Sequence, residues 1–217
     1  APATHIWFLR GVPTKIGTVL DMGVQALEKV IYFSNFIVTD VDEEAREQTI
    51  EQVKAEYKSK KKMIEGEKKR DIGRAEEKFA EDAKALKKEL SQIEEISEKK
   101  LEELEEEFLI VDKDLKEIKV MKVISEATYN EWSIRFGHIF DAGIGAEAIL
   151  KLVERINIPD TIEQLQIDLS ETRSKTKHDR IVRRLKLLHS LQKNGVEPHW
   201  MVTRVVPVIP ADLRPMV

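Results

Sequence analysis

The sequence predicts a mainly α protein with a few short strands, an α+β chain whose helical body is interrupted by a long antiparallel coiled-coil hairpin. Three observations carry this. Between Glu43 and Glu107 more than half the residues are charged and none is proline, with Gly66 and Gly73 the only helix breakers, which is helix composition. The flanks, residues 1–42 and 108–217, are ordinary globular sequence in which helical spacings alternate with short β-branched or aromatic runs. With 217 residues, 41% of them hydrophobic, the chain can build a packed core in one or two domains.

In the charged stretch, apolar residues recur at Ile72, Ala75, Phe79, Ala83, Leu86, Leu90 and Ile93, then at Leu101, Leu104 and Phe108, mostly three or four apart. The first limb is weaker, with Ile50, Val53, Tyr57 and Ile64. A basic run from Lys54 to Arg74 and an acidic run from Glu89 to Glu107 would face each other if the chain folded back near Gly66 to Gly73. This predicts a hairpin over 43–107 with limbs of roughly thirty residues, about 45 Å long. The alternative is one solvated helix or a disordered linker.

The flanking elements follow in order. Gly11-Val12-Pro13-Thr14 signals a turn, Val24 to Tyr32 has helical spacing, and Tyr32 to Val38 reads as a strand. Leu109-Ile110-Val111 reads as a short buried strand or extended piece. Ser125 is a plausible N-cap for Glu126 to Phe136, and Gly143-Ile144-Gly145 leads into a helix from Ala146 to Arg155. Residues 160–193 read as two helices joined near Glu171 to Ser174, closed by Asn194-Gly195. Trp200 to Val206 is a strand candidate, and Pro207, Pro210 and Pro215 make the remainder extended.

The composition removes much chemistry. Zero cysteines exclude thiolate metal sites and cysteine nucleophiles from this segment. No run approaches eighteen apolar residues and Ala1 to His5 lacks the character of a signal peptide, so a soluble, cytoplasmic chain with no membrane partner is expected. The five histidines show no metal-ligand spacing, so no metal is expected here. Gly143 to Ala148 fits G-x-G-x-x-A, but no βαβ unit surrounds it, and tight helix packing is the preferred reading. Serine-nucleophile motifs are absent and the carboxylates fall mostly on the solvated hairpin, so no catalytic residue is expected in this chain.

One block stands apart. From Arg173 to Lys193 the bases include Lys175, Lys177, Arg180, Arg183 and Arg184, with Asp179 the only acid, although the whole chain carries a net charge of −4. Lys177, Arg180 and Arg184, three and four apart, share a helical face, while Ile181, Leu185 and Leu188 form the buried one. Such a face suits sequence-independent contact with the phosphates of a DNA duplex. The bland alternative is a solvated face balancing acidic neighbours.

Several segments together resemble the β′ subunit of bacterial DNA-directed RNA polymerase, in its N-terminal clamp region. They are His5-Ile6-Trp7-Phe8-Leu9 through Gly17-Thr18-Val19-Leu20-Asp21-Met22, Leu27 to Phe33, Gly145-Ala146-Glu147-Ala148-Ile149, Arg184-Leu185-Lys186-Leu187-Leu188, Pro198-His199-Trp200-Met201, and Val206 through Asp212-Leu213-Arg214-Pro215. The resemblance covers residues 1–40 and about 109–217, with the hairpin resembling a lineage-variable insertion of the kind actinobacterial β′ subunits carry. It implies a clamp segment of a nucleotidyltransferase whose catalysis lies elsewhere, and a chain excised from a longer subunit. The family's four-cysteine zinc element would precede Ala1 and its N-A-D-F-D-G-D magnesium motif would follow Val217. Mg2+ and Zn2+ are thus expected in the complete subunit and no cofactor in this segment. By resemblance, Pro207 to Val217 begins the lid, with Pro210, Asp212, Leu213, Arg214 and Pro215 near the RNA–DNA hybrid, and the basic block faces downstream DNA. The implied partners are the duplex, the hybrid, the β, α and ω subunits and a sigma factor, in the cytoplasm at the nucleoid. The rival expectation is a freestanding coiled-coil scaffold with an accessory basic face.

Overall fold

The computed structural model describes residues 2–4, 6–9, 11–78, 83–205 and Pro210. In chain order the elements are β1 (Ala3–Thr4), α1 (Ile6–Leu9), α2 (Lys15–Leu20), α3 (Val24–Ile31), β2 (Phe36–Val41), α4 (Glu43–Lys78) and α5 (Ala83–Glu117). There follow β3 (Val123–Ile124), α6 (Glu126–Phe136), β4 (Phe140–Gly143), α7 (Gly145–Glu154), α8 (Ile158–Glu171), α9 (Lys175–Lys193), a 3-10 turn at Pro198–Met201 and β5 (Val202–Thr203). The expected class, mainly helical with a few short strands, is borne out. The chain divides into a globular unit, Ala1–Asp40 with Val120–Val217, and a hairpin unit, Val41–Lys119.

The hairpin is longer than its sequence pattern predicts. Its limbs have 36 and 35 residues. Gly66 and Gly73 both lie inside α4, so the chain does not turn there; the limbs are joined through residues 79–82, which lie outside the described residues with the seam position Phe79. Leu109-Ile110-Val111 is not a strand, and the second limb runs ten residues past the expected boundary at 107. The reason is register: Leu104, Phe108, Val111 and Leu115 continue the three-and-four spacing, and seam burial outweighs the strand preference of two β-branched residues. Leu109 and Ile110, off the seam, are exposed. Tyr57 stacks on Phe108 across the limbs at 4.5 Å between ring centroids. A cross-limb ion pair joins Lys100 to Glu67 at 3.6 Å, whereas Lys99–Glu95 and Arg74–Asp71 pair along a limb. At the open end, Arg46 donates to the Ile118 carbonyl at 2.8 Å, satisfying a backbone acceptor just beyond α5.

In the globular unit the amphipathic faces of α2, α3 and α7 meet over Ile16, Val19, Leu20, Leu27, Val30, Ile149 and Leu152, with Ile37 of β2 and Met201 among them. A second cluster joins α8 to α9 through Ile158, Ile162, Leu165, Ile181, Leu185 and Leu188. Leu187 and Leu191 of α9 also pack against the first cluster, so this helix is held on two sides. The sheets are small: β3-β2-β4, with Phe36 opposite Ile124 antiparallel, and β1-β5, with Ala3 opposite Thr203 antiparallel.

The strand expected at Tyr32 to Val38 is displaced to Phe36–Val41, because Tyr32 caps α3 and Phe33 turns the chain with φ of 61°. The strand expected from Trp200 begins only at Val202, after the 3-10 turn, and the last residue of that prediction, Val206, lies outside the described residues. Ser125 caps α6 by accepting from Thr128 N, as its position predicts. Gly145 opens α7 with φ of +75°, and a Cβ there would sit 2.6 Å from the Phe33 ring. The Phe33 ring thus packs where a side chain on residue 145 would stand, and glycine here serves close packing.

Candidate nucleic-acid interface

The candidate interface lies on α2 and the first half of α9. Thr14, 1% exposed, caps α2 by accepting from Gly17 N at 2.9 Å. At the other end Asp21 adopts a left-handed conformation with φ of 57°, and Met22 N donates back to the Gly17 carbonyl at 2.7 Å. Both closures converge on Gly17, where a Cβ would stand 2.5 Å from Thr14 Oγ1 and 2.7 Å from the Met22 oxygen. Only glycine fits without a shift there.

α9 crosses this helix end with its arginines. Arg180 Nε donates to Asp21 Oδ1 at 2.6 Å, and its Nη2 to the Asp21 carbonyl at 2.8 Å. Arg184 Nη2 donates to the Val19 carbonyl at 2.9 Å. Two carbonyls at the end of α2 that have no partner within that helix thereby gain charged donors. Burial lowers the pKa of Arg184 below that of a free arginine; the charge of Asp21 opposes this and that of Arg180 adds to it. The guanidinium remains charged regardless. Arg184 Nε is buried without a hydrogen-bond partner.

The basic residues singled out in the sequence therefore divide. Lys175, Lys177 and Arg183 are exposed, and Arg180 is exposed but paired. Arg184 is half-buried and committed to α2. Arg180, Arg183 and Arg184 line an open groove of about 360 Å³ together with Pro13, Gly17 and Met22. Arg173 and Lys177 border a second open cleft of about 400 Å³ at the α8–α9 junction, which they share with Asp168 and Glu171. Asp21 was not legible as part of the site, since it lies 159 residues from Arg180. Of the residues expected to belong to a lid, Pro210 is exposed and outside regular structure, while Asp212, Leu213, Arg214 and Pro215 lie outside the described residues.

Among the described residues, no three histidine or carboxylate side chains are grouped as a metal would require, and no helix is long and apolar enough to cross a membrane. The arrangement offers positive charge on α9 beside the Asp21 carboxylate, which is paired to Arg180.

No protein-family model matches the chain. Curated relatives do. It is 34% identical over 218 aligned positions to DNA-directed RNA polymerase subunit β′ of Dehalococcoides mccartyi, taking in all of this chain and 16% of that protein. The subunits of the same name from Nocardia farcinica and Corynebacterium efficiens are each 33% identical over 234 positions, again across the whole chain and over 18% and 17% of their own lengths. The resemblance read from the motifs is borne out, and it runs through the hairpin as well as the flanks. The chain spans about a sixth of the length of the curated relatives it matches.

Proposed function

We propose that this chain is a clamp segment of a DNA-directed RNA polymerase β′ subunit, holding the downstream duplex against the exposed face of α9. The observation that carries the reading is the similarity of the whole chain to a segment of β′ subunits, reached independently of its charge pattern. The geometry supports it: α9 is packed on two sides, so Lys175, Lys177 and Arg183 stand on a rigid support and can meet phosphates without ordering a loop. Such contacts release counterions and ignore sequence, which suits an enzyme that moves along its template.

In this proposal the residues from Pro207 begin the lid near the RNA–DNA hybrid, with Arg214 closest to nucleic acid. Nucleotidyl transfer, Mg2+ and Zn2+ belong to other parts of the subunit. The β, α and ω subunits and a sigma factor complete a cytoplasmic, nucleoid-associated assembly. A freestanding coiled-coil scaffold finds no support in relatives where the matching stretch is a sixth of a longer subunit.

The test is salt titration of duplex binding by the complete polymerase. Replacing Lys175, Lys177 and Arg183 together by alanine should flatten the slope of log K against log salt by up to about 3 × 0.9. An unchanged slope removes α9 from the duplex path.

A further inference from the structure

The groove between α2 and α9 holds a pairing that duplex contact leaves unexplained. Three guanidinium groups from one helix, those of Arg180, Arg183 and Arg184, line it. From the opposite side Asp21 brings a carboxylate, and its Oδ1 lies 2.6 Å from Arg180 Nε. That is the geometry in which an arginine takes a phosphate oxygen, with the carboxylate already in place. Arg184 needs no such partner for its position, because it is anchored to the Val19 carbonyl. Arg180 keeps a second anchor of its own in the Asp21 carbonyl, so the carboxylate is not required to place it.

We propose that Asp21 is an internal competitor for the phosphate backbone: it neutralises Arg180 at the mouth of the groove, so that Lys175, Lys177 and Arg183 meet phosphate while Arg180 is held back. This rests on the duplex-holding reading and deepens it by assigning which cations of the face are engaged. Both partners remain substantially exposed, Arg180 at 61% and Asp21 at 42%, so the pair is weak and exchangeable. A clamp built this way grips less tightly than its arginine count implies, which keeps the duplex free to slide.

Asparagine accepts the left-handed backbone that residue 21 adopts and retains an oxygen acceptor, so Asp21→Asn removes the charge and little else. Asp21→Gly, equally suited to that backbone, is a second neutral replacement. Duplex binding by the complete polymerase, measured over a salt series, should steepen in either variant by about 0.9 in the log–log slope. A fourfold rise in salt would then weaken binding about 3.5-fold more than in the parent. Asp21→Glu should keep the parental slope, and adding Arg180→Ala to Asp21→Asn should return it to the parental value. If Asp21→Asn leaves the slope unchanged while Arg183→Ala flattens it, the competitor role is overturned and the duplex reading stands. If Lys177→Ala and Arg183→Ala also change nothing, both fall together.

Discussion

The hairpin and the globular unit use charge in opposite ways. Along the hairpin, charged side chains such as Arg74 with Asp71, Lys116 with Asp112 and Lys99 with Glu95 pair with neighbours one turn away, the last at 3.0 Å with both about two-thirds exposed. In the globular unit several arginines reach across the sequence: Arg180 to Asp21, Arg184 to Val19, and Arg155 to the Thr39 carbonyl at 2.7 Å and to Asp40 at 2.8 Å. A local pair follows the helix wherever it moves, whereas a long-range pair fixes one element against another. Charge density marks the first region and charge placement the second, and it is placement that makes a binding face.

The largest expected contrast lies in packing. Leu188 is fully buried in the cluster that fastens α9 to α8. Leu188→Ala should lower stability by about 3 kcal/mol, within the usual range for a leucine cavity. Ile96, 56% exposed on the hairpin, should change stability by no more than about 0.5 kcal/mol when replaced by alanine. Urea unfolding of the two variants checks this, and equal losses would break the contrast between a packed unit and a solvated one.

Glycine gives the next test, with opposite signs in the two regions. A Cβ at Gly17 collides with Thr14 Oγ1 and the Met22 carbonyl, so Gly17→Ala should destabilise by about 1–3 kcal/mol and loosen the end of α2 that Arg180 and Arg184 hold. A Cβ at Gly73 meets nothing within 4 Å, and this residue sits inside α4. Gly73→Ala should therefore stabilise by up to about 1 kcal/mol through helix propensity. Thermal melts of the pair decide it, and a loss at both positions would mean that Gly73 serves a contact that helix propensity does not describe.

The same division explains what could be read from the sequence. The limbs of the hairpin, the N-cap at Ser125 and the helix end at Gly195 depend on residues close in the chain, and composition and spacing located them. The turn does not fall at Gly66 to Gly73, because a long helix with a paired seam absorbs a glycine at a modest cost in helix propensity. Leu109 to Val111 belong to the helix although they carry strand preference, because a three-residue window holds no register. The basic face itself was legible from its local excess of charge. Its partners were not: nothing in the sequence around Asp21 points to a guanidinium 159 positions away, and no helical wheel of α9 separates an arginine anchored to a carbonyl from one open to solvent.

The smallest effect is expected where the hairpin comes nearest to the behaviour of the globular unit, at the cross-limb pair of Lys100 with Glu67. Both side chains are about half exposed and the separation is 3.6 Å, so a double-mutant cycle with alanine should give a coupling of roughly 0.2–1 kcal/mol that fades as salt is raised. Neither single replacement should alter the salt slope of duplex binding, since neither residue belongs to the face on α9. A coupling well above that range, or one indifferent to salt, would mean that the seam sets the register of the limbs through charge. The apolar stacking of Tyr57 on Phe108 and the spacing of Leu101, Leu104 and Phe108 argue otherwise: register in this hairpin is a property of its half-buried apolar seam, and the charges beside it follow.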